Sequence, residues 1–342
     1  MKARRPLALR PRRKSSSHPL VVERCEERIL MATFTVTTNA DTGVGSLRDA
    51  ITSANGNGQV DKIVFNLQAS ELTIRPQTAL PVLSESGTTI DGTSQTGYAP
   101  GAPVVEISGQ DLPVNTVGLT LTGGNITINS LLIDRFGGAG GNGISISGQG
   151  GDTIIGNFIG NNGTTALANG GDGIFVNAVG RNTIGGNTVA TRNVISGNGA
   201  DGISLFAAGA NGNSISGNYI GLNAAGTAKL GNGANGITIN SGTGNIIGGI
   251  VPGTGNVISG NSSGVVVLGG GPQGTLVQGN FIGTDATGTQ NRGNTFDGLT
   301  FLNSGGNTIG GLGSARNVIS ANGGRGVILQ GALSTLNLAA AS

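Results

Sequence analysis

Asp172, Asp201 and Asp297 each stand directly before a glycine at the start of a short apolar run, as do Asn142 and Asn235. Paired carboxylates cleave glycosidic bonds when they lie roughly 5–9.5 Å apart. In the repeat derived below, Asp172, Asn235 and Asp297 are equivalent positions three coils apart, roughly 14 Å at one strand spacing per coil. Asp201 falls one coil and one face away from Asp172. These separations favour a turn role, in which the side chain binds nearby backbone, over catalysis. Asp172 also lies in GGDGIFVN at 170–177, which touches the nonapeptide calcium pattern without repeating it in tandem. Calcium wants six to eight oxygens, so weak Ca²⁺ binding at Asp285 or Asp297 is the most that the acids offer. His18 and Cys25 are the only residues of their types. They make no soft-ligand cluster for zinc or copper. No cofactor is expected, and a lone cysteine excludes an intrachain disulfide.

The elements that position these residues follow from an internal repeat. The stretch Arg192–Gly233 returns from Gly255 and starts again at Arg316. Asn182, Asn245 and Asn307 open NTIGG, NIIGG and NTIGG, while Gly156, Gly217 and Gly279 open GNFIG, GNYIG and GNFIG. Asn193, Asn256 and Asn317 open NVIS, and all three series step by 61 to 63 residues. A fixed period of this kind marks a solenoid. Inside it, apolar triplets centred on Ile154, Ile174, Ile195, Ile215, Ile237, Ile258, Val277, Leu299 and Ile319 recur every 19 to 22 residues. Runs such as NVIS, GISL and TLVQ are too short for helices and are bounded by Gly and Asn, so they read as strands. Each strand then pairs with its equivalent one coil on. The predicted fold is an all-β, right-handed parallel β-helix. Its coils are expected to hold about 21 residues, three to each unit of about 62.

Asparagine follows most of the apolar triplets at Asn157, Asn177, Asn198, Asn218, Asn240, Asn261, Asn280, Asn303 and Asn322. Buried polar groups are paired, and stacked amides can bond the amide above and below. The column therefore predicts a structural ladder. Longer loops at 160–171, 221–234 and 283–295 recur on one side, every third coil. Insertions repeated in this way often form a working face, although loops also cost little closure entropy wherever they fall. On the first reading, Asn162, Asn223 and Asp285 in the loops, with Asp172 and Asp297, are the candidate ligand-binding residues. Phe158, Tyr219 and Phe281 share the motif GN-[FY]-IG, and there is no Trp. Their expected role is filling the inside of the coil.

Residues 1–32 carry nine Lys or Arg against three Glu, a balance of +6 that leaves the other 310 residues at −4. The mildly acidic body argues against a nucleic-acid partner. No apolar run is long enough to span a bilayer. The expected organisation is a disordered basic leader at 1–32, a cap with irregular early coils at 33–130, and regular coils at 131–342. In the cap, Ser46 with Asp49 three places on forms a capping-box pattern ahead of Leu47, Ala50, Ile51 and Ala54. A short helix there would cover the first coil's exposed cross-section. The closing stretch LQGALSTLNLAAAS has no polar terminal repeat, so further chain or another subunit is expected over the last coil.

The chain after residue 20 resembles a kind of bacterial surface protein. TVTTNADTGVGSLRDAITSAN looks like the CSLREA-type motif that precedes parallel β-helix repeats, with Gly45 where that family has cysteine. ERCEERILMA is similar to a degenerate LEPR-type leader, and GNFIGTDATGT with RNVISGN resembles PbH1-type right-handed β-helix repeats. The resemblance implies an extracellular or cell-surface location but no one chemistry, because the fold hosts lyases, hydrolases and adhesins alike. The leading expectation is an exported structural or adhesion β-helix without catalysis. A polysaccharide lyase or glycoside hydrolase and a carbohydrate-binding module are its rivals. A polysaccharide or another cell-surface protein is the expected partner.

Overall fold

The computed structural model describes residues 31–272, 274–332 and 338–340. The leader up to residue 30, with His18 and Cys25, lies outside them. So do residues 333–337 and 341–342 of the closing stretch. The fold is an all-β parallel β-solenoid of about ten coils, consistent with right-handed winding. Three parallel sheets run along it: sheet A with eleven strands, sheet B with nine and sheet C with eight.

One coil contains three strands, one from each sheet. In sheet A, Ile154 pairs with Ile184, then Ile215, Ile247, Val277 and Ile309 follow in register, so a full turn takes 30 to 32 residues. This corrects the expected coil of 21 residues and the three-coil unit. The 62-residue repeat is two coils holding six strands. The triplets read from the sequence were every second strand, so Ile154, Ile174 and Ile195 belong to sheets A, C and B rather than to three stacked coils.

The core is three columns of aliphatic side chains. Sheet B stacks Ile133, Ile159, Ile195, Ile220, Ile258 and Ile282, all fully buried. Sheet C supplies two residues per coil, Ile174 with Val176 below Ile203 with Leu205, because its strands are longer. β-Branched residues suit these pleated, closely stacked positions.

Each corner is held by a ladder of buried amides. Between sheets A and B, Asn157, Asn193, Asn218, Asn256, Asn280 and Asn317 are joined side chain to side chain at 2.9–3.2 Å. Between B and C, Asn169, Asn198, Asn232, Asn261, Asn294 and Asn322 are joined at 2.9–3.3 Å. Between C and A, Asn182, Asn213 and Asn245 continue the pattern at 2.8 and 3.0 Å. Asn218 shows the chemistry of one rung. Its Nδ2 donates to Asn256 Oδ1 and to Ile184 O, while its Oδ1 accepts from the Asn193 backbone N–H and from Asn193 Nδ2. Of the nine positions expected in one column, six divide between the first two ladders. Asn177 and Asn240 instead end strands of sheet C on its outer side, in a column with Phe206, Leu268 and Leu302, and Asn303 lies one place past that column inside the strand Leu299–Gly305.

At the N-terminal end the helix Leu47–Asn55 buries Leu47, Ala50, Ile51 and Ala54 against the first coil's core. Ser46 Oγ accepts from the Asp49 N–H at 3.1 Å, and Asp49 Oδ2 accepts from the N–H of Gly45, one residue before the cap, at 3.3 Å. Gly45 has φ 83°, and a Cβ there would meet Thr37 Oγ1, so the position admits no cysteine without a shift. At the other end Val327 and Leu329 occupy core register in the last sheet C strand yet are 38% and 43% exposed.

Replacing Asn218 with leucine strands several buried donors and acceptors at ~1–3 kcal/mol each. The Asn218→Leu variant is expected to lower the unfolding midpoint sharply, whereas Asn177→Leu stays within about 0.5 kcal/mol of wild type. Equal midpoints in chemical denaturation would remove the ladder from the account. Asp152 gives the opposite case. It occupies the third ladder, accepting from Ile126 N–H at 2.8 Å, but its buried Oδ2 has no partner and burial raises its pKa. Asp152→Asn restores a donor toward Asn182 and is expected to raise stability at neutral pH by about 1–2 kcal/mol, read from the same denaturation curves.

Candidate functional site

The strands of sheet B within the repeats are two residues long, so one side chain turns in and its neighbour turns out. Ile159, Ile220 and Ile282 take the inner positions, which turns Phe158, Tyr219 and Phe281 to the outward side of the sheet, with Phe158 buried beneath its hairpin and the other two half-buried. This corrects the expectation that the rings fill the coil. Val194, Val257 and Val318 alternate with them in register. The result is an apolar stripe, one residue per coil, running along the solenoid.

Loops from alternate coils wall the stripe on both sides. The segments 160–171, 221–234 and 283–295 are short hairpins, bridged at Asn161–Ala166, Leu222–Lys229 and Thr284–Asn291. They lie two coils apart rather than three and bond directly to each other, through Ala224 N–H to Gly163 O at 2.8 Å and Ala286 N–H to Gly226 O at 2.9 Å. Each hairpin closes over the ring of its own coil. Gly226, at φ 68°, lies against Tyr219 with no room for a Cβ. The opposite wall is made by segments 186–192, 249–255 and 311–316, which join sheet A to sheet B in the valine coils. Its tips expose Val189, Ile250, Val251 and Leu312.

Between the walls lies an open cavity of about 290 Å³ lined by Arg192, Tyr219, Pro252, Val257, Phe281 and Ala286 among others. The Arg192 guanidinium carbon sits 4.1 Å from the centre of the Tyr219 ring. Its Nε donates to Gly217 O at 3.2 Å. Residue typing of acids and amides passed over Arg192, although its recurrence as Arg316 in the RNVIS motif was visible in the repeat.

The residues proposed as ligand contacts are occupied elsewhere. Asn162 Oδ1 accepts from the Thr164 and Thr165 N–H groups, Asn223 Oδ1 from Thr227 and Ala228, and Asp285 Oδ1 from Thr289 and Gln290. All three shape their own hairpins. Asp297 Oδ1 accepts from Arg325 N–H at 2.8 Å. Among the described residues no three His, Cys, Asp or Glu side chains converge on a metal-sized site.

Asp172 and Asp201 are neighbours, not residents of different faces. Asn142, Asp172, Asp201 and Asn235 follow one another in consecutive coils, each Oδ1 accepting the next residue's N–H at 2.7–2.9 Å. One coil is about 4.8 Å, so the separation argument against this pair falls. Burial pushes Asp172 up to about 6; the bond from Asp201 N–H opposes that, and the charge of Asp201 adds to it. Burial also raises Asp201, against bonds from Thr238 and Asn235.

A second acidic group lies at the N-terminal end of sheet B. Arg135, in the left-handed region at φ 60°, reaches Glu106 Oε1 at 2.5 Å and Asp134 Oδ1 at 3.1 Å. Thr73 Oγ1 donates to Glu106 Oε2. Asp134 is fully buried and is pushed up to about 7, first by burial and then by the charge of Glu106, with Arg135 pulling back. Sealed from solvent, its carboxyl meets no substrate.

Fold and site together define a parallel β-solenoid with an open cavity on the outward side of sheet B. Among solved structures the chain is similar to alginate lyase from Paenibacillus sp. str. FPU-7, at 15% identity and a TM-score of 0.43, over 87% of this chain and 99% of that one. It is also similar to the pectate lyase Pel9A, at 15% identity and a TM-score of 0.33, over 91% and 78%. These likenesses concern the solenoid fold alone. No family model matches the sequence, and no curated protein matches it. Among the described residues no helix is long and apolar enough to cross a membrane.

Asp172 titrates in a direction that is testable. Its folded value of about 6 lies above the model-peptide value near 3.8, so the folded state holds the proton more tightly. That contribution to stability is complete below about pH 4 and is lost as pH rises through 6. Asp172→Asn, copying Asn142 and Asn235, is expected to match wild type near pH 4 and to exceed it by up to ~3 kcal/mol above pH 7. Thermal midpoints of the two proteins across pH 4–8 give the difference curve, and a flat one would refute the assignment.

Proposed function

We propose that the chain is an exported, non-catalytic β-helix of the adhesion kind whose sheet B groove holds an extended polysaccharide. The observation that carries this reading is Arg192 lying over Tyr219 in an apolar channel between two ridges of loops. Ligand sites combine an apolar lining with a few placed polar groups. Polyhydroxylated units offer the apolar lining their C–H faces and offer the walls, and the guanidinium that covers Tyr219, their hydroxyls. Tyr219 and Phe281 line the cavity two coils apart, ~9.6 Å, so a polymer meets two rings and weak contacts add as avidity. Export rests on the resemblance of the N-terminal motifs to those of surface proteins.

One observation favours a second reading, a glycoside hydrolase. Asp172 and Asp201 stand about one strand spacing apart, with environments that raise both. That is close to the spacing of ~5–5.5 Å that retaining enzymes use.

Purified protein, offered acidic and neutral polysaccharides with and without calcium, is expected to bind at least one of them saturably and without turnover. Tyr219→Ala is expected to weaken that binding about tenfold. Release of new chain ends, abolished by Asp201→Asn, would select the hydrolase instead. Binding unaffected by Tyr219→Ala would remove the groove from the account.

A further inference from the structure

We infer that Arg192 reads a negative group on the bound chain, so that the groove prefers an acidic glycan. The inference rests on the groove reading above and deepens it.

Arg192 is built as a fixed cation. Its Nε is tied to Gly217 O and its guanidinium carbon lies 4.1 Å from the Tyr219 ring centre, which holds the group in one place before a ligand arrives. A planar fork held in advance loses less freedom on binding than a mobile lysine. No carboxylate among the described residues pairs with it. The ion pairs there belong to Arg48, Lys62 and Arg135, in the first coils. Lys229 and Arg292, on the facing hairpins, donate to Gly293 O and Thr227 O across the ridge. The cation inside the groove is therefore the one left to answer a ligand's charge.

The repeat supports the same conclusion. The position equivalent to Arg192 in the next unit is Gly255, which lines the cavity, and a Cβ there would strike Gly279 O. Arginine returns at Arg316, four coils beyond Arg192, or about 19 Å. The space between them is open because an arginine is absent there. A chain laid over the Tyr219–Val257–Phe281 floor thus meets a guanidinium at one end of the cavity. Carboxylate matches that fork with two parallel hydrogen bonds, and a sulfate ester shares the charge with different geometry. Residues 33–342 stand at −4 and do not attract a polyanion at long range, while the +6 of residues 1–32 acts equally in the wild type and the Arg192 variants. Selectivity is consequently a contact effect that persists at moderate salt, where distant charges are screened.

The test uses polygalacturonate, its fully methyl-esterified form, a sulfated glycan and a neutral glucan, titrated into the full chain at 0.15 M salt. Polygalacturonate is expected to bind about tenfold more tightly than its ester, as one charge-assisted contact implies. Arg192→Gln is expected to weaken polygalacturonate about tenfold more than it weakens the ester, closing the gap between them, and Arg192→Lys to keep part of that gap. Preference for the sulfated chain that also depends on Arg192 supports the inference with sulfate as the anion. Equal affinity for polygalacturonate and its ester, with no preference for sulfate, overturns it while the groove reading stands. A charge preference unchanged in Arg192→Gln overturns it in the same way. Failure of all four chains to bind overturns both. Thermal midpoints of the variants within a few degrees of wild type show that the comparison is between folded proteins.

Discussion

A chain that turns three corners in each coil must satisfy the backbone groups at every corner without the help of a strand ladder. Here one side-chain amide does this by bonding upward, downward and to the backbone at once, as Asn218 does. Asparagine suits the place because it carries two donors and two acceptor lone pairs on a short stem. The exceptions show the requirement. Where Asp152 and Thr275 stand in the third ladder, each leaves a buried oxygen unpaired. Because every rung links one coil to the next, stability becomes a sum of nearest-neighbour terms. The outer surface is left free to vary.

That freedom explains the two-coil period. The inward columns repeat every coil, Ile upon Ile, and show no difference between odd and even turns. The alternation lives outside, where one coil presents an aromatic ring under a hairpin and the next a valine beside a long turn from sheet A. Two staggered rows of loops therefore rise on either side of sheet B. A groove results from insertions on alternate coils, without any change to the core.

How far this was legible depends on which periodicity is asked. The 62-residue unit, the parallel solenoid and the capping helix at Ser46 were all written in residue types. The division of the unit was not. Six strands can be three coils of two or two coils of three, and the spacing of apolar triplets is the same for both. Choosing three coils placed Asn177, Asn240 and Asn303 in a ladder that belongs to Asn193, Asn256 and Asn317. It also separated Asp172 from Asp201. The rings of Phe158, Tyr219 and Phe281 were misplaced for a related reason. In a two-residue strand, alternation has too few positions to show which side faces in, and only pairing with the isoleucine column decides it.

The acids of sheet C pose the opposite problem from the arginine of sheet B. Asn142 makes the same backbone bond that Asp172 and Asp201 make, without a buried charge. Two neighbouring carboxylates in that column therefore weaken the coil at neutral pH with no structural return that an amide would not give. Residues that break a local rule without compensation are where function is found in many proteins. Yet these acids open on sheet C, while the groove and its cation lie on sheet B, so a chain held in the groove does not present its bonds to them. Binding and cleavage are thus separate claims about separate faces, and either can fail without the other.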